Sequence, residues 1–137
     1  MPAEYVIDEQ LGVVFSRAWS VLTDTDLLEH QRRLRQDPKF KPSLSQIFDF
    51  QEVTAVEITA AGGQTLADRT IFGAGARRAF IVHPGAMVMF GVMRMFQTLL
   101  SDHPDELRVQ FDHINKARQW IGIPEADGAP DGGAGER

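Results

Sequence analysis

Arg78-Ala79-Phe80-Ile81-Val82-His83-Pro84-Gly85 is a short apolar run stopped by a Pro-Gly pair. Such a run marks a buried strand. Directly after it, Ala86 to Ser101 predicts the strongest helix of the chain. Met89, Val92, Met93, Phe96, Leu99 and Leu100 fall on one face of that helix. Leu107, Val109 and Phe111 then alternate with Arg108 and Gln110, which predicts a half-exposed strand. Strand, helix, strand in this order implies a parallel sheet covered by helices.

The same grammar extends in both directions. Residues 4–8 read as a strand, and Asp8-Glu9-Gln10-Leu11-Gly12 supplies turn chemistry. From 13 to 19, Val13, Phe15, Arg17 and Trp19 point one way, and Val14, Ser16 and Ala18 the other. This is a β-hairpin. Thr23 is a good N-cap, with Asp26 in the capping-box position. Leu27, Leu28, Gln31 and Leu34 form the stripe of the helix that follows, and Pro38 stops it. Ser45 to Phe50 reads as a central strand, followed by a loop through Val53 and Val56. A weak helix is predicted over 59–68. Gly62 and Gly63 each cost it about 1 kcal/mol relative to Ala, so it either packs very closely or is soft. Asp112 caps a last helix with Ile114, Ala117, Trp120 and Ile121 on its core face, ended by Gly122 and Pro124.

The predicted fold class is therefore α/β. A single five-stranded, mostly parallel sheet opens with an antiparallel hairpin and carries four helices, in the order β-β-α-β-α-β-α-β-α. Residues 1–122 form the domain. Residues 123–137 are a Gly-rich acidic tail expected to be disordered.

Composition narrows the chemistry. A chain of 137 residues with 43% hydrophobic residues can bury one continuous core. It has no cysteine, which rules out disulfides, thiol catalysis and thiolate metal sites and suits the cytoplasm. The start, Met1-Pro2-Ala3-Glu4-Tyr5, shows no signal peptide, and the 86–100 stretch is interrupted by Arg94 and Gln97 and is too short to span a bilayer. Four acids and one base between 125 and 137 give that segment −3 of the net −5. Neither part attracts phosphate backbones, so no nucleic-acid partner and no membrane insertion are expected.

Several phrases carry a resemblance. They are Leu27-Leu28-Glu29-His30-Gln31, Ile47-Phe48-Asp49-Phe50-Gln51-Glu52-Val53-Thr54, Arg77-Arg78-Ala79-Phe80-Ile81-Val82 and Phe90-Gly91-Val92-Met93-Arg94-Met95-Phe96. Together with the element order, they make the chain resemble the STAS-like (SpoIIAA-like) family of bacterial proteins related to anti-sigma-factor antagonists. The resemblance covers most of residues 4–121 and implies fold rather than activity. In the antagonists an Asp-Ser-Ser-Gly phrase follows the third strand, and its second serine accepts phosphate. Here Glu57-Ile58-Thr59-Ala60 stands at that place, so the resemblance puts Thr59 at the phosphoacceptor position. Ile58 and Ala60 depart from the pattern.

Three candidate sites emerge. Glu57 and Thr59 are a phosphoacceptor or partner loop, or Thr59 is a plain N-cap. Met87, Phe90, Arg94 and Met95 lie off the core face of the 86–101 helix. They form a partner or homodimer surface, or a neighbouring segment such as 69–76 with Phe72 covers them. Gly73, Gly75, Arg77, Arg78 and His83 are a candidate anion or ligand loop, or a flexible turn with solvated arginines. The four histidines lack ligand spacing, so no metal and no cofactor are expected. No Gly-x-Ser-x-Gly or phosphate-loop motif is present. The first functional expectation is thus a non-enzymatic protein-binding or regulatory module. The alternative is a carrier or sensor of a small apolar or anionic ligand. An enzyme would have to use His83 or Arg78, with no nucleophile, base and orienting group placed together.

Overall fold

The computed structural model describes residues 3–83, 87–101, 106–111 and 113–125. Ala3–Asp8 (β1) pairs antiparallel with Val13–Thr23 (β2), and Gly12 at φ +72° makes the turn between them. Ser45–Glu57 (β3), Arg77–Ile81 (β4) and Glu106–Phe111 (β5) then add in parallel. The sheet order is β1-β2-β3-β4-β5. Asp24–Gln36 (α1), Ala60–Asp68 (α2), Met87–Leu99 (α3) and Ile114–Ile121 (α4) complete the predicted order.

Period-two alternation divides the core between two sheet faces. One carries Val13, Ile47, Ala79 and Ile81 and is covered by α4 through Ala117 and Trp120. The other carries Ala18, Phe48, Phe50 and Phe80 and is covered by Leu27 of α1, Leu66 of α2 and Met89, Met93 and Phe96 of α3. A third cluster, with Val14, Leu34, Leu44 and Phe72, closes one end.

The predicted capping box of α1 is present, with Thr23 Oγ1 accepting from the Asp26 N–H and Asp26 accepting from the Thr23 N–H. Gly62 and Gly63 resolve as close packing. A Cβ on Gly62 would lie 2.1 Å from Cγ of Asp24, and one on Gly63 would lie 2.9 Å from the methyl of Met95. At the other end of the chain, Gly122 closes α4 in the left-handed region, φ +98°.

Two expectations are corrected. Residues 51–57 are no loop but the second half of β3, paired with β2 from Trp19 to Thr23. Register shifts at Arg17/Trp19 and Ser20/Val21, beside Ser20 at φ +59°, break the alternation that a strand would show. This is why Val53 and Val56 are spaced by three. The N-cap of α4 is His113, whose Nδ1 accepts from the Asn115 N–H at 3.0 Å. Asp112 lies outside the described residues, as do Pro84 to Ala86 and the tail from 126.

Candidate functional site

Alternation along β3 and β4 turns Gln46, Phe48, Phe50, Arg78 and Phe80 toward the three-helix face. Between them and the helices lies a cavity of about 50 Å³. Leu27, His30 and Leu34 of α1 reach it, as do Gly63 and Leu66 of α2 and Met93, Met95 and Phe96 of α3. Its walls are largely carbon and sulfur.

Its floor is polar and fully bonded into a chain. Arg78 Nε donates to Gln46 Oε1 at 3.1 Å. Gln46 Nε2 donates to Ser16 Oγ at 3.1 Å, and Ser16 Oγ is 3.0 Å from His30 Nε2. All four residues are buried, from 1% exposed for Gln46 to 5% for Arg78. The arrangement that uses the Ser16 proton has the hydroxyl donate to His30 Nε2, with the imidazole proton on Nδ1. The Arg78 guanidinium also lies 4.5 Å from the ring centroid of Phe72, 5.4 Å from Phe80 and 5.9 Å from Phe96. His30 itself sits between Tyr5 and Phe48, at 5.6 and 4.8 Å between centroids. Burial first, then the positive charges of Arg78 and Arg33, lower its pKa from 6.5 to about 4. The imidazole is therefore neutral near pH 7.

A second hollow, about 230 Å³, lies beside α1 near Thr25, Leu28 and Arg69. It is the larger of the two. Its rim is charged, and Arg32 there is already paired with Glu29. The smaller cavity is the better ligand site, because it joins apolar walls to a few fixed polar groups.

The candidate residues read from the sequence separate. Thr59 caps α2, its Oγ1 accepting from the Gly62 N–H at 2.9 Å and donating to Asp24 Oδ2 at 2.7 Å. The Thr59 N–H donates to Asp24 Oδ1 at 3.0 Å. A carboxylate thus already occupies this helix terminus, while Glu57 is the exposed last residue of β3.

On α3, Met87 and Val88 are exposed, 81% and 70%. Arg94 is exposed too and lies over Phe90, 5.6 Å from its centroid. Phe90 and Met95, however, are half-buried and not part of a free surface. Phe90 packs on the main core, and Met95 reaches the Gly63 backbone and the cavity. The reason is that α3 touches both the sheet and α2, so its contact arc is wider than one sheet-facing stripe. Phe72 packs against Phe40 and Arg78 and lines the same cavity as Met95.

The proposed anion loop is not assembled. Gly73 donates its N–H to the Pro42 carbonyl at 2.8 Å, and Gly75 makes the turn at φ +85°. Arg77 and Arg78 are neighbours on a strand and point to opposite faces. Arg77 Nη1 donates to the Trp120 carbonyl at 2.6 Å, on the α4 side. His83 is exposed. Of the five residues, Arg78 alone reaches the cavity.

Ser16, His30 and Gln46 are the site residues that periodicity did not single out. A signal existed for two of them. Gln46 interrupts an apolar strand, and His30 lies three after Leu27 and four before Leu34, on the buried stripe of α1. Among the described residues, no group of three or more potential ligands could hold a metal, and no helix is long and apolar enough to cross a membrane.

No family model and no curated protein matches the chain. A solved structure does: an uncharacterised protein of the DUF3478 family from Shewanella loihica PV-4, described as having a SpoIIAA-like fold. The match has a TM-score of 0.59 at 17% identity and covers 87% of this chain and 93% of that one. The five-stranded mixed sheet with four helices is a SpoIIAA-like, that is STAS-like, fold.

Proposed function

We propose that the protein is a cytoplasmic, non-enzymatic carrier or sensor of a small ligand held in the cavity between the sheet and α1, α2 and α3. The observation that carries this reading is the cavity itself, with methionine and phenylalanine walls over the buried Arg78–Gln46–Ser16–His30 chain. Apolar walls give affinity, and a few fixed polar groups give orientation. Unbranched methionines let the walls adjust to the guest. Ser16 accepts a hydrogen bond from Gln46 beneath the cavity floor and does not line the cavity.

Methyl NMR tests the reading with 1-butanol, a neutral probe of suitable size. Titration is expected to shift the Met93 and Met95 methyl signals and to leave exposed Met87 nearly unmoved. Equal movement at all three, or at none, would reject the cavity as a site.

A protein partner or a second copy of the chain is a second reading, favoured by exposed Met87 and Val88 at the start of α3. Sedimentation of the wild type and of Met87→Asp with Val88→Asp separates the outcomes for self-association. The contact is expected to be lost in the double variant, and an unchanged assembly state counts against it.

A further inference from the structure

We infer that the larger hollow, between α1 and the end of α2, is the docking groove for an acidic peptide segment of a partner protein; this does not rest on the cavity. Thr25, Leu28, Arg32 and Arg35 line the hollow along α1, and Arg69, the C-cap of α2, joins them from the second helix. Ten residues of helix, from 25 to 35, rise about 15 Å. A trough of that length suits about four or five residues of extended chain better than one small ion.

Charge decides the class of partner. The lining holds three arginines and one glutamate. Arg32 is engaged, since its guanidinium pairs with Glu29 and its Nη1 donates to Gln36 Oε1 at 2.9 Å. Arg35 and Arg69 are placed differently. The other carboxylates of the two helices are committed elsewhere: Asp24 to Thr59, Asp26 to Thr23 and Asp68 to Gln64. Among the described residues, no ion pair reaches Arg35 or Arg69. Both are exposed. A chain of net charge −5 thus carries two unneutralised cations on one groove. An acidic segment gains both there, while the overall charge of the chain repels it elsewhere.

Leu28 adds selectivity. It is half-buried in the same lining and offers an apolar contact. The favoured segment therefore carries an aliphatic residue among its acids, which a phosphodiester backbone does not provide. Because both arginines keep their water on folding, attachment is weak and salt-sensitive, as suits a transient contact.

Fluorescence anisotropy with two labelled peptides, Glu-Asp-Leu-Asp-Glu and its neutral counterpart Gln-Asn-Leu-Asn-Gln, tests the inference. At about 20 mM salt the acidic peptide is expected to bind about fivefold tighter or more, and the difference should fade by about 0.3 M. Arg35→Glu with Arg69→Glu should erase the preference. Both side chains are exposed and outside the core, so the fold is kept. Lys41→Glu with Arg94→Glu makes the same change in net charge at exposed positions outside the groove. That control should keep the preference within about twofold. Equal affinity for the two peptides in the wild type, or no binding of either, overturns the inference. So does a preference that survives the groove variant, or one lost equally in the control. Tighter binding of a labelled oligothymidylate than of the acidic peptide, abolished in the groove variant, would assign the groove to nucleic acid and overturn the peptide reading. The 1-butanol response of the cavity is unaffected by any of these outcomes.

Discussion

Phe48→Ala is expected to destabilise the protein by about 3–5 kcal/mol, the range for removing a buried phenylalanine ring. Phe48 is 4% exposed. Its ring stacks on Phe50 at 4.2 Å, meets His30 at 4.8 Å and takes an edge contact with Phe80 at 5.9 Å. It thus joins the central strand, the buried imidazole and the neighbouring strand in one aromatic cluster. Truncation would also merge the new void with the existing cavity, so collapse of the surroundings cannot recover much of the loss. Urea denaturation should show a lower midpoint at an unchanged slope, and the melting temperature should fall by about 10 °C or more. A loss under about 1 kcal/mol would mean that the ring is not part of the cohesive core.

Stability is also expected to fall by about 3 kcal/mol between pH 6.5 and pH 4 because of His30 alone. The folded pKa, about 4, lies below the ordinary value of 6.5. Above pH 6.5 both folded and unfolded chains hold a neutral imidazole, and the group contributes no pH dependence. As pH falls, the unfolded chain takes up the proton and the folded chain does not, so unfolding is favoured. Below about pH 4 both are protonated and the effect levels off. The groups that face the imidazole are Tyr5 on β1, Ser16 on β2, Phe48 on β3, Arg78 on β4 and Arg33 on its own helix. None of them carries a negative charge that would hold a proton there. Unfolding curves of the wild type and His30→Leu at pH 7, 5.5 and 4 isolate the contribution, since the surface carboxylates are common to both. The wild type should lose about 3 kcal/mol more than the variant over this span. Parallel losses would show that His30 takes up a proton in the folded protein with little resistance.

Much of the architecture was readable because local chemistry and tertiary packing agree. Thr23 with Asp26 fixed the start of α1, Gly122 fixed the end of α4, and alternating strands and helices fixed the parallel sheet. Reading failed where a partner strand supplies what the segment lacks. The far half of β3 is Gln51-Glu52-Val53-Thr54-Ala55-Val56-Glu57, polar and out of period. It is a strand because β2 runs beside it through two register shifts. The site was less legible than the fold. Sequence proximity gathered Gly73, Gly75, Arg77, Arg78 and His83 into one loop, whereas the pleat sends Arg77 to Trp120 and Arg78 to the cavity. The residues that meet Arg78 include Phe72, Gln46 of β3 and Phe96 of α3, far apart in the chain. Only the folded sheet brings them together.

The close approach of Asp24 to Gly62 has an evolutionary side. Any side chain at 62 would claim the volume that the Asp24 carboxylate now fills while it binds the Thr59 amide and hydroxyl. The two positions therefore cannot drift independently. Alanine at 62 would push the Asp24 carboxylate off the Thr59 amide and hydroxyl, a cost that falls away on a background where 24 has first been shortened. Such order-dependence makes this junction a ratchet in the history of the chain, and in the laboratory it makes 24 and 62 a pair to be randomised together.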